Sequence, residues 1–190
     1  MQESYLPPRL MRELASMIGQ SVQELVWIVW PPLYEDLVAA TDISVGLQIV
    51  GHSNLIRISV TEDAPAGAQV DFIKRQNVAE VYAFDTLAAR VNHWLTQELG
   101  ELALEIYATK DQPMFQAING QRIVDVILVC SDKTRSIIGV KLLFEEDYIL
   151  VTAIADGSTV ETVQFSLVRD NIRQFDIFSP LTYVSLKALR

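Results

Sequence analysis

The sequence predicts an α+β protein made of two tandem copies of a β-meander unit. Each copy has about four antiparallel strands, is flanked by helices and packs pseudo-symmetrically against the other. A Gly-Gln pair followed by an apolar run occurs at residues 19–29 and again at residues 120–130, 101 positions later. A short apolar run at residues 45–50 recurs at residues 138–143, 93 positions later. Alternation of apolar and polar residues within these runs is typical of half-buried strands.

The two spacings differ by 101 − 93 = 8 residues, which places an eight-residue insertion in the first copy. We expect the first unit, with an N-terminal helix and a following linker helix, to occupy residues 1–100. The second unit, with a C-terminal helix, is expected to occupy residues 101–190. Both lengths are those of small domains.

The first copy is predicted to begin with a helix, because Leu10, Leu14 and Ile18 share one face at helical spacing. The Gly-Gln turn then opens the first strand, and two β-branched strands and a short fourth strand follow. Asp85 is a suitable N-cap for the linker helix behind the strands. The strands are predicted at Val22–Trp30, residues 45–50, residues 55–60 and Val70–Ile73.

The second copy is predicted to repeat this order. Asp156-Gly157 indicates a tight hairpin, because both residues tolerate positive φ. Ser179-Pro180 predicts the start of the C-terminal helix, with a hydroxyl cap and proline at the first helical position. Residues 101–108 fit either a helix or a strand. The strands are predicted at Ile123–Cys130, residues 138–143, residues 148–153 and Thr162–Leu167.

Composition excludes several classes of protein. The net charge of −9, with only 15 Lys and Arg residues spread thinly, argues against nucleic-acid binding but allows a basic protein partner. No apolar stretch approaches the roughly 20 residues of a membrane span. The single cysteine, Cys130, cannot form an internal disulfide and is expected to act as a small buried hydrophobe. We therefore expect a cytoplasmic protein that does not bind membranes. The sequence does not indicate its oligomeric state.

Motifs for catalysis, cofactors or metals are absent from the sequence. It has no glycine-rich phosphate loop, no nucleophile elbow and no paired Cys or His at metal-ligand spacing. Its two histidines are His52, in a predicted turn, and His93, beside the apolar stripe of the linker helix. Both are expected to be surface or half-buried residues. No catalytic residue, cofactor or metal ligand is predicted.

The densest acidic cluster is Glu145-Glu146-Asp147, in a predicted hairpin between two strands of the second copy. Such a turn is normally solvated. Two alternatives remain open, because the carboxylates could form a docking contact, or crowding could raise one pKa enough for acid/base chemistry. We take Glu145, Glu146 and Asp147 as candidate interaction residues.

A second candidate surface lies in the insertion of the first copy. Two prolines end the first strand after Trp30, and the following segment carries Leu33 and Tyr34. Exposed aromatic and leucine side chains can anchor interfaces. The alternative is that these side chains fold back to cover the end of the sheet.

The leading functional hypothesis is a non-enzymatic protein-interaction module, such as an adaptor, an inhibitor or an immunity-type partner. It rests on the missing catalytic motifs and on the acidic composition. The first alternative is a small-molecule binding protein that uses a cleft between the two units. The second is a hydrolase built on carboxylates with His52 or His93.

Overall fold

The computed structural model describes residues 7–30, 42–61, 68–74, 81–87, 89–90, 104–134, 136–154 and 157–189. Its regular elements, in chain order, are α1 (Pro8–Ser16), β1 (Val22–Trp30), β2 (Asp42–Ile49), β3 (Asn54–Val60), β4 (Ala68–Lys74), β5 (Val81–Ala83), β6 (Glu105–Ala108), β7 (Asp125–Ser131), β8 (Ile137–Leu143), β9 (Tyr148–Ile154), β10 (Gly157–Glu161), α2 (Asn171–Phe178) and β11 (Leu181–Ser185). Short 3₁₀ turns occur at Phe84–Thr86 and Pro113–Phe115.

Two sheets dominate the described part of the chain. The first has the strand order β4-β3-β2-β1-β6-β5, and the second has the order β10-β9-β8-β7-β11. Neighbouring strands are antiparallel except β5 and β6, which are parallel. Each sheet contains four strands that are consecutive in the chain and adjacent in space. The mixed α+β class with antiparallel sheets is therefore confirmed.

The sheets face each other across one hydrophobic core. Strand β1 illustrates the alternation that builds it. Leu25, Trp27 and Val29 belong to the core between the sheets, whereas Val26 and Ile28 form a separate buried cluster on the other face of β1. Successive side chains of a strand point to opposite faces, so both faces of this central strand are apolar.

Aromatic rings from distant parts of the chain meet in this core. Trp27 stacks on Phe165, with 5.5 Å between ring centroids, and meets Phe115 edge-on at 5.3 Å. Phe84 contacts Phe115 and Phe165 edge-on, at 5.1 and 5.4 Å. Offset and edge-on ring pairs add stability beyond the apolar area that they bury. The cluster therefore holds both halves of the chain in one core.

Helix α2 covers the outer face of the second sheet. Ile172 and Phe175 pack against a buried cluster that includes Leu150 of β9. At the start of the helix, the Asn171 side-chain amide donates to the Thr152 hydroxyl at 2.9 Å and to the Ala153 carbonyl at 2.8 Å. These buried hydrogen bonds fix the helix to β9.

Gly19 and Gly120 join the two halves through reciprocal backbone hydrogen bonds. The Gly19 N–H donates to the Ile123 carbonyl at 2.8 Å, and the Gly120 N–H donates to the Val22 carbonyl at 2.7 Å. Both glycines have positive φ, +87° and +84°, which L side chains rarely adopt. Ser21 and Arg122 form an isolated antiparallel bridge between them. We call this arrangement the glycine clasp.

The predicted C-terminal helix is wrong. The residues after Ser179-Pro180 form β11, which pairs antiparallel with β7, and the helix lies earlier, at Asn171–Phe178. Leu181–Ser185 contains Thr, Tyr and Val, which favour strands, and the neighbouring edge of β7 gives this segment a ladder to join. Tertiary pairing therefore prevails over the helix-start signal at Ser179.

Two other element predictions change. The fourth strand of the second copy is Gly157–Glu161 rather than Thr162–Leu167, because pairing with β9 already begins where Gly157 lies opposite Ile154. Within residues 101–108, Glu105–Ala108 is a strand, since it pairs with β1 on one side and β5 on the other. Most of the predicted linker helix lies outside the described residues.

Candidate functional site

A cavity of about 370 Å³ opens beside the β8–β9 hairpin. Two of its lining residues are Glu145 and Glu146, which the sequence predicts as candidate interaction residues. The opposite wall comes from the segment that precedes β7. We call this cavity the acidic pocket. The residues that line it are Pro113, Gln116, Ala117, Gln121, Glu145 and Glu146.

The hairpin holds the two glutamates outward because its other polar groups are tied down. The Phe144 N–H donates to the Asp147 carbonyl at 2.9 Å, which closes the turn. The Asp147 carboxylate accepts the N–H groups of Tyr148 at 2.6 Å and Val163 at 3.0 Å. Phe144 and Asp147 are buried, whereas Glu145 and Glu146 are exposed. The structure thus separates the three predicted acidic residues, and Asp147 stabilises the turn.

The opposite wall is held by the core and by the glycine clasp. Phe115 is fully buried, as is Ile118, and they anchor a run of tight turns. The Asn119 side-chain carbonyl accepts the Leu25 N–H at 2.8 Å, which ties the segment to β1. Gly120 then reverses the chain with positive φ. Gln116 and Gln121, both exposed, line the cavity together with the glutamates.

The acidic pocket has a negative electrostatic character. None of the described residues that line it is cationic. Within the described part of the chain, neither the Glu145 nor the Glu146 carboxylate makes an ion pair or a hydrogen bond. The two glutamine amides can both donate and accept hydrogen bonds. Such a site suits a cationic group with several donors.

The sequence singles out the two glutamates that line the acidic pocket but not Gln116 and Gln121. In the sequence, the Gly120-Gln121 pair indicates only the repeat. No local pattern indicates that residues 113–121 pack beside a hairpin more than twenty positions further along the chain. That proximity depends on the pairing of the strands, so the sequence contains no direct signal for it.

The other candidate surface lies at the far end of β1. Trp30 is 39% exposed and pairs with Asp42 at the start of β2. The acidic pocket is beside the start of β1, where the Val22 N–H donates to the Gln121 carbonyl. Eight residue steps of an extended strand separate the two places by roughly 27 Å. Leu33 and Tyr34 lie outside the described residues.

His52 does not line the acidic pocket. His52 is exposed in the β2–β3 turn, and His93 lies outside the described residues. In the described ranges, no group of three or more His, Cys, Asp or Glu side chains could hold a metal ion. None of the described helices has the length and apolar character needed to cross a membrane.

Cys130 lies in β7 and is partly buried. Burial, with a smaller effect from the nearby Asp132 charge, raises the pKa of the thiol. A raised pKa lowers the thiolate fraction at neutral pH, and the thiolate is the reactive form. Cys130 is therefore suited to packing rather than to nucleophilic chemistry.

A polar network on the outer face of the second sheet connects Tyr148 with Glu161. The Tyr148 hydroxyl donates to Glu161 Oε1 at 2.5 Å, and Glu161 Oε2 accepts the Asp170 N–H at 2.8 Å. Burial and the hydrogen bond to Glu161 raise the pKa of Tyr148 to about 12. Both Glu161 carboxylate oxygens accept hydrogen bonds from within the fold, so the network stabilises the segment that leads into α2.

A second, half-buried network joins β6 to the chain behind β5. Arg90 pairs with Glu105, with Nε at 2.8 Å from Oε2, and its guanidinium lies 4.2 Å from the centre of the Tyr82 ring. The Tyr107 hydroxyl also donates to Glu105. Burial, followed by this hydrogen bond, raises the pKa of Tyr107. The sequence did not predict this cluster, because its members meet only through strand pairing.

Comparisons of the chain with protein-family models, with curated proteins and with solved structures found no match.

Proposed function

We propose that this protein is a non-enzymatic protein-interaction module of the cytoplasm, such as an adaptor, an inhibitor or an immunity-type partner. Its acidic pocket receives a basic side chain of the partner protein. The observation that carries the proposal is the cavity itself, which Glu145 and Glu146 line together with Gln116 and Gln121 and to which the described residues add no cation.

The chemistry of the acidic pocket matches a lysine or arginine side chain. Arginine presents five N–H donors, which two carboxylates and two amide carbonyls can accept. The cavity volume of about 370 Å³ is at the lower end of the range for ligand pockets. The net charge of −9 adds long-range attraction for a basic partner and raises the rate of encounter.

Trp30 remains a second proposed contact. Its indole is partly exposed at the end of β1, and aromatic side chains at such positions can anchor a partner. Because roughly 27 Å separates it from the acidic pocket, one partner must span the length of β1 to reach both.

The two alternatives lack a supporting observation. A ligand cleft between the two units would need open space between the sheets, which a continuous apolar core fills. The described residues that line the acidic pocket all come from the second half of the chain. A hydrolase would need a histidine beside the carboxylates, and His52 does not line the acidic pocket.

The proposal predicts that the double variant Glu145→Gln/Glu146→Gln binds a basic peptide less tightly. With a fluorescently labelled oligo-arginine peptide as the probe, we expect about a tenfold rise in Kd, or ~1.4 kcal/mol, for two exposed carboxylate contacts. Fluorescence anisotropy at low and at moderate ionic strength measures the Kd of the labelled peptide. The difference from the native protein should shrink with added salt, because exposed charge pairs are screened.

The matched control is Asp85→Asn/Asp176→Asn, which removes the same total charge from two other exposed positions. We expect this control to change Kd by less than about twofold. Equal weakening by the two double variants would mean that the peptide responds only to net charge, and the acidic pocket would then not be the site.

We also propose that the chain arose as two copies of one unit, covering residues 1–100 and 101–190, related by a pseudo-two-fold axis at the glycine clasp. Two features support the proposal. The donors Gly19 and Gly120 and the acceptors Val22 and Ile123 are each 101 residues apart, so the hydrogen bonds are mutually equivalent. Both four-stranded meanders have the same strand order.

Equivalent glycines predict equivalent costs of substitution. A Cβ at Gly19 or Gly120 would meet no atom within 4 Å, so the penalty of an alanine is the positive φ alone. We expect Gly19→Ala and Gly120→Ala each to lower the free energy of unfolding by about 1–2 kcal/mol, measured by urea denaturation. Asparagine tolerates this conformation and should cost less at both positions. A large cost at one glycine and none at the other would argue against the pseudo-symmetry.

A further inference from the structure

Strand β11 is the last strand of the second sheet, and one of its edges has no neighbouring strand among the described residues. The hydrogen bonds at its two ends, from the Asp132 N–H to the Pro180 carbonyl at 3.0 Å and from the Leu186 N–H to the Val126 carbonyl at 2.9 Å, show that even-numbered residues face β7. In an antiparallel strand the backbone groups of alternate residues point to opposite sides. The N–H and C=O groups of the odd-numbered residues therefore point away from the sheet. These residues are Leu181, Tyr183 and Ser185.

This edge is exposed at its centre. Tyr183 is 58% exposed, and β11 contains no charged residue. Within the described part of the chain, the outward backbone groups of Leu181, Tyr183 and Ser185 have no hydrogen-bond partner. Open edges of this kind are usually blocked by a charge, a proline or a covering segment. In the described ranges, β11 itself carries no charge or proline, and Pro180 lies directly before the strand.

The first sheet covers the corresponding edge. Strand β6 lies beside β1 as β11 lies beside β7, and β6 carries the additional strand β5 on its outer side. In the described residues, nothing occupies that position beside β11. Among the described residues, the second sheet therefore has a free position for a further strand beside β11.

We propose that a second copy of this chain occupies the edge, so that β11 pairs antiparallel with β11 of its partner around a two-fold axis at Tyr183. This register is self-complementary. Tyr183 lies opposite the partner's Tyr183, and Leu181 lies opposite the partner's Ser185, so every outward backbone group of the strand gains a partner. The two sheets become one continuous sheet across the dimer.

The expected association is weak and depends on salt. A pairing of two five-residue strands buries less than the ~1,200 Å² of stable complexes, so we expect a Kd on the order of 100 μM. Each copy carries a net charge of −9. Because the copies repel each other at long range, added salt should strengthen the dimer.

Sedimentation equilibrium of the full chain, from about 10 μM to about 500 μM, tests the proposal. Tyr183→Pro removes the central outward N–H without removing a hydrogen bond to β7, since proline is tolerated where the N–H faces solvent. We expect at least about a tenfold rise in the dimer Kd. Circular dichroism and the melting temperature establish that the variant is folded.

A second variant tests the same contact without proline, which could disturb the strand locally. Tyr183→Lys places two like charges directly opposite each other at the two-fold axis, which is unfavourable between strands. The matched control is Val163→Lys, at another exposed apolar position, which makes the same change in net charge. We expect Tyr183→Lys to abolish the dimer. Val163→Lys should leave it intact or slightly stronger, because the net repulsion falls.

Three outcomes would overturn the proposal. The chain could remain monomeric at the highest concentration, or the dimer could persist in both Tyr183 variants. The third is a monomeric chain that binds a synthetic peptide of residues 80–86, the sequence around β5, at the β11 edge. That result would assign the edge to a separate extended peptide rather than to a second copy.

Discussion

Replacing Trp27 with alanine is expected to lower the free energy of unfolding by about 3–5 kcal/mol, the range for a large aromatic residue in a packed core. Trp27 is fully buried in β1 and contacts Phe115 and Phe165, which come from segments outside its own sheet. Removing the indole therefore opens a cavity at the contact between the two halves. Denaturant unfolding followed by circular dichroism measures the loss.

Trp30 is the matched control, because it is the same residue type three positions later in the same strand. Its side chain is partly exposed, so Trp30→Ala should cost less than about 1 kcal/mol. Under the interaction hypothesis, Trp30→Ala weakens partner binding more than it lowers the melting temperature. If Trp30→Ala instead unfolded the chain, the residue would belong to the core and could not be an interface anchor.

Trp27→Phe separates two effects of Trp27 on the free energy of unfolding, that of its aromatic contacts and that of its unpaired indole N–H. The indole Nε1 is buried and finds no hydrogen-bond partner in the described structure. Phenylalanine keeps a ring beside Phe115 and Phe165 and discards the unpaired N–H, which carries a desolvation penalty. We expect Trp27→Phe to cost much less than Trp27→Ala. Equal costs would mean that the aromatic contacts contribute little.

Replacing Gly157 with alanine is expected to lower the free energy of unfolding by about 3 kcal/mol. A Cβ at this position would lie 2.5 Å from Asp42 Cγ and 2.7 Å from Asp42 Oδ1. Asp42 Oδ1 accepts the Ser158 N–H at 2.7 Å, which joins the start of β2 to the start of β10. The new methyl group must displace the carboxylate, so the variant loses this bond between the sheets as well as close packing.

A double-mutant cycle with Asp42 tests this explanation. In the Asp42→Gly background the whole obstructing side chain is gone, including the Asp42 Cβ that would lie 2.7 Å from the new methyl group, so Gly157→Ala should cost about 1 kcal/mol or less. Gly139→Ala is a milder control, since its Cβ would approach Thr152 and Val129 only to 3.3 Å. If the Gly157 substitution costs the same with and without the Asp42 side chain, the steric explanation is wrong.

The strand predictions succeeded where a local pattern was sufficient. The first strand was predicted at Val22–Trp30 and has those bounds, because its alternation and the prolines after Trp30 define both ends. The acidic residues Glu145 and Glu146 were placed in a hairpin, and they lie in one. Each of these inferences needs only neighbouring residues, whose chemistry determines how the backbone turns and which face is apolar.

The predictions failed or stayed open where a distant strand decides the structure. Leu181–Ser185 had a good helix-start signal before it, yet it forms an edge strand because β7 offers an unpaired ladder. Glu105–Ala108 was ambiguous alone and becomes a strand between β1 and β5. The strand β5 itself is three residues long, too short for any periodicity to reveal.

The same division applies to the whole protein. Local patterning established an α+β chain rich in antiparallel strands, with two acidic residues on a turn, because hydrophobic period and turn chemistry act over a few residues. The tertiary structure decided that Gln116 and Gln121 line a cavity with those glutamates, that Trp27 joins the two halves and that β11 keeps an open edge among the described residues. These features arise from hydrogen bonds and packing between segments far apart in the chain, and a single sequence does not encode such pairings in any local signal.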